Sequence, residues 1–283
     1  MTKITKALLP AVFAMFLLLS ACSKSIGYTK DALLMDTFVH IEVNDAMEDD
    51  LRARAVDKVV ARMKGLEKRF DYFSKDSELS KLNRGEKTSL SPEMKKVLKK
   101  SEDLRKMTGG AFDIRFGPGK KVNLGGIAKG FIVDEGIKIL KESGVKNALI
   151  NAGGDMYCMG EGAQGGWKIG IRSPEDSRKI IARFRVRDKG VATSGEYERH
   201  SHIIDPRTGL PVEKILRSVT VVAGDCMTAD GLATALYVLG PKEGLSLIES
   251  IDDAECVIVD DDEMHISEGF PQIALTGVSK FKN

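Results

Sequence analysis

Long apolar runs, paired cysteines and any excess of one charge sign are scarce in this chain, and each shortage removes a class of function. Of 283 residues, 42% are hydrophobic and 30% are charged. That composition is globular and too polar for a multi-span membrane protein or a fibre. Aromatic residues make up 6%, with a single Trp, too few for a base-stacking surface. The formal charge of +2 includes Lys3 and Lys6, and without these two the remaining bases equal the 41 acids in number. A balanced charge gives no excess to neutralise phosphates along a nucleic acid, so no nucleic-acid partner is expected. The four cysteines and four histidines contain no C-x-x-C pair, and neither a disulfide framework nor a zinc or redox site is supported. Cys158, Cys226 and Cys256 are expected as small buried hydrophobes.

What is present begins at the N-terminus. Lys3 and Lys6 precede an apolar run from Ala7 to Leu19, broken by Pro10, which closes on Ser20-Ala21-Cys22. Charged, then apolar, then small is the order of a secretory signal, and the run is too short to span a bilayer comfortably. Leu19-Ser20-Ala21-Cys22 resembles the lipobox of bacterial lipoproteins, which implies cleavage before Cys22 and lipidation of that cysteine. The expected organisation is a lipoprotein signal peptide over 1–21, a tether over 22–30 and one domain over 31–283.

Periodicity divides that domain into elements. Phe38 to Val43 alternates as a strand, with Val39, Ile41 and Val43 on one side. Leu51, Ala55, Val59, Met63, Leu66 and Phe70 recur at helical steps and form one apolar stripe. A second helix opens at Ser91-Pro92, with Ser as the cap and Pro at the first helical position, and turns Met94, Val97, Leu98, Ser101 and Leu104 inward. A third follows Gly125-Gly126 and stops at Gly144. Strand-like runs then occupy 148–152, 167–171, 180–186 and 218–223. They are followed by a helix from about Thr228 to Leu239 ended by Gly240-Pro241, another over 243–251, and a strand over 256–259. Strands come in runs as well as between helices, so the expected class is α+β: mainly antiparallel sheets with flanking helices, in two lobes packed into one unit.

Two places could carry chemistry on spacing alone. Asn123-Leu-Gly-Gly-Ile-Ala-Lys129-Gly130 sets two glycines before a helix, where backbone N–H groups and the dipole favour phosphate oxygens. It matches neither G-x-x-x-x-G-K-[ST] nor G-x-G-x-x-G, and taken by itself it is better explained as a tight turn leading into a helix. Asp230 and Thr234, four apart on a predicted helix, share a face. Both are hard oxygen donors of the kind Mg²⁺ takes, completing its shell from phosphate and water. Glycine turns also bring backbone near Asp113 and Asp155, and His202 lies among loop-forming residues, able to accept a proton. Together these suggest a Mg²⁺-dependent diphosphate site.

The same motifs, taken in order, resemble the FAD:protein FMN transferases, the ApbE family of flavin-attaching lipoproteins. They are Met35-Asp36-Thr37-Phe38, Ser74-Lys-Asp-Ser-Glu-Leu-Ser-Lys-Leu-Asn83, Thr108-Gly-Gly-Ala-Phe-Asp113, Leu124-Gly-Gly-Ile-Ala-Lys-Gly130, Asn151-Ala-Gly-Gly-Asp155, Ser194-Gly-Glu-Tyr-Glu-Arg199, His202-Ile-Ile-Asp-Pro-Arg-Thr-Gly209 and Ala229-Asp-Gly-Leu-Ala-Thr-Ala235. The resemblance covers nearly the whole chain beyond the signal. It implies transfer of the FMN half of FAD to a Ser or Thr hydroxyl of an acceptor protein, with Mg²⁺ as cofactor and AMP released. It further implies Asp230, Thr234 and a backbone carbonyl near Gly126 as metal ligands, and Met35, Phe73, Ala111, Phe112, Asp113, Asn123, Lys129 and Ile204 as FAD contacts. His202 would be the base for the acceptor hydroxyl. The implied partners are flavoprotein subunits of membrane redox complexes, and the implied place is the periplasmic face of a bacterial envelope, tethered through Cys22. The chain departs from the family pattern in three ways. Asp36 stands where Gly is usual, Asn123 stands where Asp is usual, and only residues 114–122 separate Asp113 from Asn123 where the family carries a longer segment. Two other activities fit the same residues: a Mg²⁺-dependent FAD pyrophosphatase, and a non-catalytic FAD-binding lipoprotein.

Overall fold

Two strands with hydrophobic residues at most positions, Leu216–Ala223 and Ala254–Asp260, are buried along most of their length, as strands sandwiched between two layers must be. The computed structural model describes residues 27–87, 89–115, 117–162, 165–173, 176, 178–195, 203–212, 216–261, 263–271 and 274–275. Its strands are β1 (Tyr28–Leu34), β2 (Thr37–Val43), β3 (Ala148–Ala152), β4 (Asp155–Met159), β5 (Trp167–Arg172), β6 (Ile180–Val186), β7 (Lys189–Gly195), β8 (Leu216–Ala223), β9 (Ala254–Asp260), β10 (Met264–Ile266) and β11 (Ala274–Leu275). The helices are α1 (Asp49–Phe70), α2 (Glu78–Asn83), α3 (Pro92–Met107), α4 (Ala128–Glu142) and α5 (Cys226–Ile248). Gly240, at φ 78° and ψ 179°, breaks α5 into two segments just before Pro241, as the Gly-Pro pair predicts.

Eight strands form one sheet in the order β1-β2-β3-β4-β7-β8-β9-β10, and β5, β6 and β11 form a second of three. Every pairing among these strands is antiparallel, so the α+β expectation holds. The smaller sheet makes a second lobe on one face of the larger, and the helices cover the other. The pleat sorts the side chains between the two cores. On β8, Val219, Val221 and Ala223 join the helical core while Val222 joins the core under the small sheet. On β9, Cys256 and Ile258 go one way, Val257 and Val259 the other. All three described cysteines are free and buried, as expected, and burial pushes the Cys226 thiol well above its ordinary value.

The helical elements follow their sequence signals closely. Ser91 caps α3, its side chain accepting from the Met94 N–H, with Pro92 next. The α1 stripe is core from Ala55 to Phe70, but Leu51 is 44% exposed and Arg52 is buried in its place. There the stem of Arg52 packs inward while its guanidinium donates to the Asp45 carbonyl at 3.2 Å and pairs with Asp49. The tether expected over 22–30 overlaps β1, whose first three residues, Tyr28 to Lys30, pair with Val43, Glu42 and Ile41. Among the described residues no helix is long and apolar enough to cross a membrane.

Candidate functional site

Helix α4 packs between α1 and α5 on the helical face of the sheet, and α4 and α5 meet along glycines. A Cβ on Gly130 would lie 2.3 Å from the Cys226 carbonyl oxygen and 2.8 Å from the Met227 Cα. Only glycine permits that approach. One turn earlier, a Cβ on Gly126 would lie 2.8 Å from the Thr234 Oγ1, so the Gly125-Gly126 turn rests on the threonine hydroxyl. Between the two, the Gly130 N–H donates to Asp230 Oδ2 at 3.0 Å. The structure thus places Gly126, Asp230 and Thr234 together. The three arise from one antiparallel contact between two helix faces read at intervals of four residues.

Asp230 is 5% exposed, and it caps the start of α4, which has no side-chain cap from Ile127 and no acid in its own first turn. A carboxylate there lies at the positive end of the helix dipole. Its other lone pairs, the Thr234 hydroxyl and the backbone beside it form a hard-oxygen donor set with a single charge. Among the described residues no group of three or more His, Cys, Asp or Glu side chains stands together as a metal site. One carboxylate beside a hydroxyl and backbone oxygen is the kind of set that could hold a hard ion completing its shell from phosphate and water. It does not fit an all-protein cage.

Lys129 leaves the same turn of α4 and pairs with Asp155, which is 1% exposed and opens β4. Asp155 follows the β3–β4 turn, where Asn151 Oδ1 accepts from the Gly154 N–H at 2.9 Å. Beside that turn is the β1–β2 turn, since Gly153 donates to the Phe38 carbonyl at 3.2 Å. Met35 and Asp36, at φ 55° and 56°, form this two-residue hairpin loop, and the Met35 N–H donates to Glu67 of α1.

The remaining expected contacts come from the loops that follow α3 and precede β8 and from the turn before α4. Ala111 and Phe112 are buried, and Phe112 reaches Gly231 on the helix. Thr108 Oγ1 holds this loop by accepting from the Phe112 N–H at 3.0 Å, and Asp113 accepts from Arg115 at 2.7 Å. Ile204 bridges Pro211, and its loop meets the glycine loop where Arg207 Cγ approaches Gly110. Hydrogen bonding from Arg207 holds the Asp205 carboxyl below its usual range. Asn123 Oδ1 accepts from the Gly125 N–H at 2.8 Å, so its amide shapes the glycine turn. The short 114–122 segment closes as a hairpin through Arg115 and Val122, and Asn83 braces it with bonds of 2.7 and 2.8 Å to the Val122 N–H and carbonyl. Phe73 is the exception to this convergence: it is 89% exposed and touches Tyr72 edge-on. His202 and Cys22, like the signal peptide 1–21, lie outside the described residues.

Two contributors were not singled out from sequence as partners. Asp155 was legible only as an acid after a glycine turn, because its partner lies 26 residues away. Asp134 accepts from the Cys226 and Met227 N–H groups, both at 2.9 Å. Its first partner lies 92 residues away, beyond any spacing signal in the sequence.

The antiparallel α+β scaffold thus gathers a carboxylate, a hydroxyl, a glycine turn and a paired lysine around the start of α4, a grouping whose chemistry suits a charged ligand. Its relatives agree: the ApbE family model matches residues 35–122 and 117–258, and the chain belongs to that family. The FAD:protein FMN transferase of Haemophilus influenzae is 28% identical over 322 residues, covering 90% of this chain and 93% of that protein. The FAD:protein FMN transferase of Klebsiella pneumoniae is 36% identical over 151 residues, half of this chain and 46% of that protein. Among solved structures, the flavin transferase ApbE from Vibrio cholerae matches with a TM-score of 0.75 at 27% identity, covering 86% of this chain and 98% of that one.

Proposed function

We propose that this chain is a Mg²⁺-dependent FAD:protein FMN transferase that moves the FMN moiety of FAD onto a Ser or Thr hydroxyl of an acceptor flavoprotein and releases AMP. The observation that carries the reading is the meeting of Gly126, Asp230 and Thr234 between α4 and α5, with Lys129 on the adjoining turn. The names of the relatives support the substrate and the reaction. In the reaction, the acceptor oxygen bonds to the FMN phosphorus as the bond to the AMP oxygen breaks, and the hydroxyl proton passes to His202. A cation held by Asp230, Thr234 and the Gly126 backbone would neutralise diphosphate charge. The chain itself contributes the N-terminal dipole of α4, the Lys129 ammonium positioned by Asp155, and the fixed glycine backbone that lets a phosphate approach.

The protein would be synthesised with a signal peptide over 1–21, lipidated at Cys22 and held at the periplasmic face of a bacterial envelope. Its catalytic unit, expected over 31–283, would begin with β1 at Tyr28. Acceptors among the flavoprotein subunits of membrane redox complexes suit such a placement.

The test incubates the purified chain in detergent with FAD, Mg²⁺ and a Thr-containing acceptor domain, following AMP release and acceptor mass. An acceptor heavier by one FMN, with the gain lost in Asp230→Ala, is the expected result. AMP release that persists without labelling across a panel of acceptors would make the protein an FAD pyrophosphatase, and FAD binding without AMP would make it a binding protein.

A further inference from the structure

Helices α4 and α5 cap each other's N-termini. Asp230 of α5 accepts from Gly130 in the first turn of α4, and Asp134 of α4 accepts from Cys226 and Met227, the first two residues of α5. Asp225, the N-cap of α5, is occupied with Thr228, accepting from its N–H and its hydroxyl, both at 2.7 Å. The two N–H groups before it in the helix therefore depend on Asp134. The contacts Gly126 with Thr234, Gly130 with Asp230 and Asp134 with Cys226 form three successive rungs, four residues apart along each chain segment, with Gly126 in the turn that leads into α4. On α5 the outer rungs are separated by eight residues of helix, about 12 Å.

A slide or rotation of α5 against α4 would change all three rungs at once, because α5 carries its three rung residues, Cys226, Asp230 and Thr234, on one rigid stretch of helix. The glycines contribute close approach but no directional bond at the Gly126 rung, so the register must be set by hydrogen bonds further along. Asp230 supplies one and Asp134 supplies two. We infer that Asp134 is a positioning residue for the cation site: by gripping the start of α5 it sets the register that brings Asp230 and Thr234 to Gly126. This rests on the assignment of those three residues to the cation. Asp134 touches neither cation nor substrate, and its role passes through the helix it holds.

The test measures Mn²⁺ binding to the full chain in detergent by the loss of the free-ion paramagnetic resonance signal, so that affinity is read without turnover. Asp134→Ala should raise the apparent Kd about tenfold, the lower end of what outer-shell partners of metal sites typically contribute. Asp134→Asn keeps a carbonyl able to accept one of the two N–H bonds and should raise it about threefold, the worth of roughly one hydrogen bond. Tyr237→Phe serves as the comparison for general loosening: it removes the 3.0 Å bond from α5 to the Leu216 carbonyl but lies off the rungs, and should leave Kd unchanged. Wild-type affinity in Asp134→Asn and Asp134→Ala overturns the inference, and so does an equal loss in Tyr237→Phe. Should Asp134→Ala not fold, Asp134→Asn alone decides. If wild type and Asp230→Ala bind Mn²⁺ alike, the cation assignment is wrong and the role of Asp134 falls with it.

Discussion

The two faces of the eight-stranded sheet are packed by different means. Under the small sheet, Trp167, Phe184 and Phe270 fill the space against short aliphatic side chains of β7, β8 and β9. On the helical face, α4 reaches α5 through glycines, and carboxylates pass between the helices to cap exposed N–H groups. Apolar filling is non-directional and stabilises roughly in proportion to the apolar area removed from water. Reciprocal capping fixes position to a fraction of an ångström while burying charge, which costs stability unless every bond is made. The small-sheet face is thus held by apolar filling, whereas the helical face adds to its own, larger apolar core the directional contacts that position the site.

If that division is real, the largest loss of stability should leave the site untouched. Phe184 is 2% exposed and stacks edge-on with Phe270 at 5.0 Å. Phe184→Ala should cost about 4 kcal/mol in urea unfolding, with the Mn²⁺ affinity of the folded fraction unchanged. A weakened cation site in this variant would break the comparison.

Gly130→Ala should show the opposite coupling. In an open helix the change would gain about 1 kcal/mol, but here the new methyl meets the Cys226 carbonyl oxygen and the helices must separate. A net loss of about 3 kcal/mol is expected, accompanied by loss of cation binding, since the same movement carries Asp230 away from Gly126. Stability loss with full affinity would show that the helices can part without disturbing the site.

The buried carboxylates also give the helical face a pH dependence. Burial pushes the Asp134 carboxyl up to about 7, against the lowering by its Met227 and Cys226 N–H bonds, with the charge of Asp225 adding to the rise and Lys96 opposing it. In the unfolded chain the group loses its proton near its model value of 3.8, whereas the folded chain keeps it until about 7. The folded state thus binds more protons across that interval, and the contribution of this group to stability falls as pH rises through it. Wild type should lose about 1–2 kcal/mol relative to Asp134→Asn between pH 5 and pH 7. Unfolding curves at the two values check this. The depressed carboxyls of Glu78, Glu93 and Asp205 act with the opposite sign below that window and do not mask it.

The same division explains what could be read from the sequence. Elements with one buried face were legible nearly to the residue: α3 with its Ser91 cap, β3 and β6 by alternation. Strands with weak signals were not. β1 is an edge strand carrying Lys30 and Asp31, with exposed residues at alternate positions, and its polarity reads as a tether. β7 has glycine near both ends, at one of which Gly190 makes room for the start of α5, and so lacks the β-branched density of a strand. Asp230 and Thr234 were legible because one helix spaces them. Their relation to Gly126 came from the family resemblance, and Asp134 and Asp155 act across 92 and 26 residues, where no spacing rule reaches.

The smallest expected effect lies at the hairpin tip, where the local backbone, not the packing of either face, sets the energy. Asp36 holds φ 56° in the left-handed region, which disfavours a side chain and which glycine enters freely. Asp36→Gly relieves that strain, but glycine also gives the unfolded chain more freedom to lose, and the two terms largely cancel. The net gain should be about 0.5 kcal/mol, a rise in Tm of roughly 1–2 °C for a domain of this size. The bond from the Met35 N–H to Glu67 keeps the tip on α1 in either case, so the neighbouring residues need not move. A fall in Tm would mean that the Asp36 side chain makes an interaction outweighing its strain, and that the departure from glycine at this turn is a stabilising substitution in its own right.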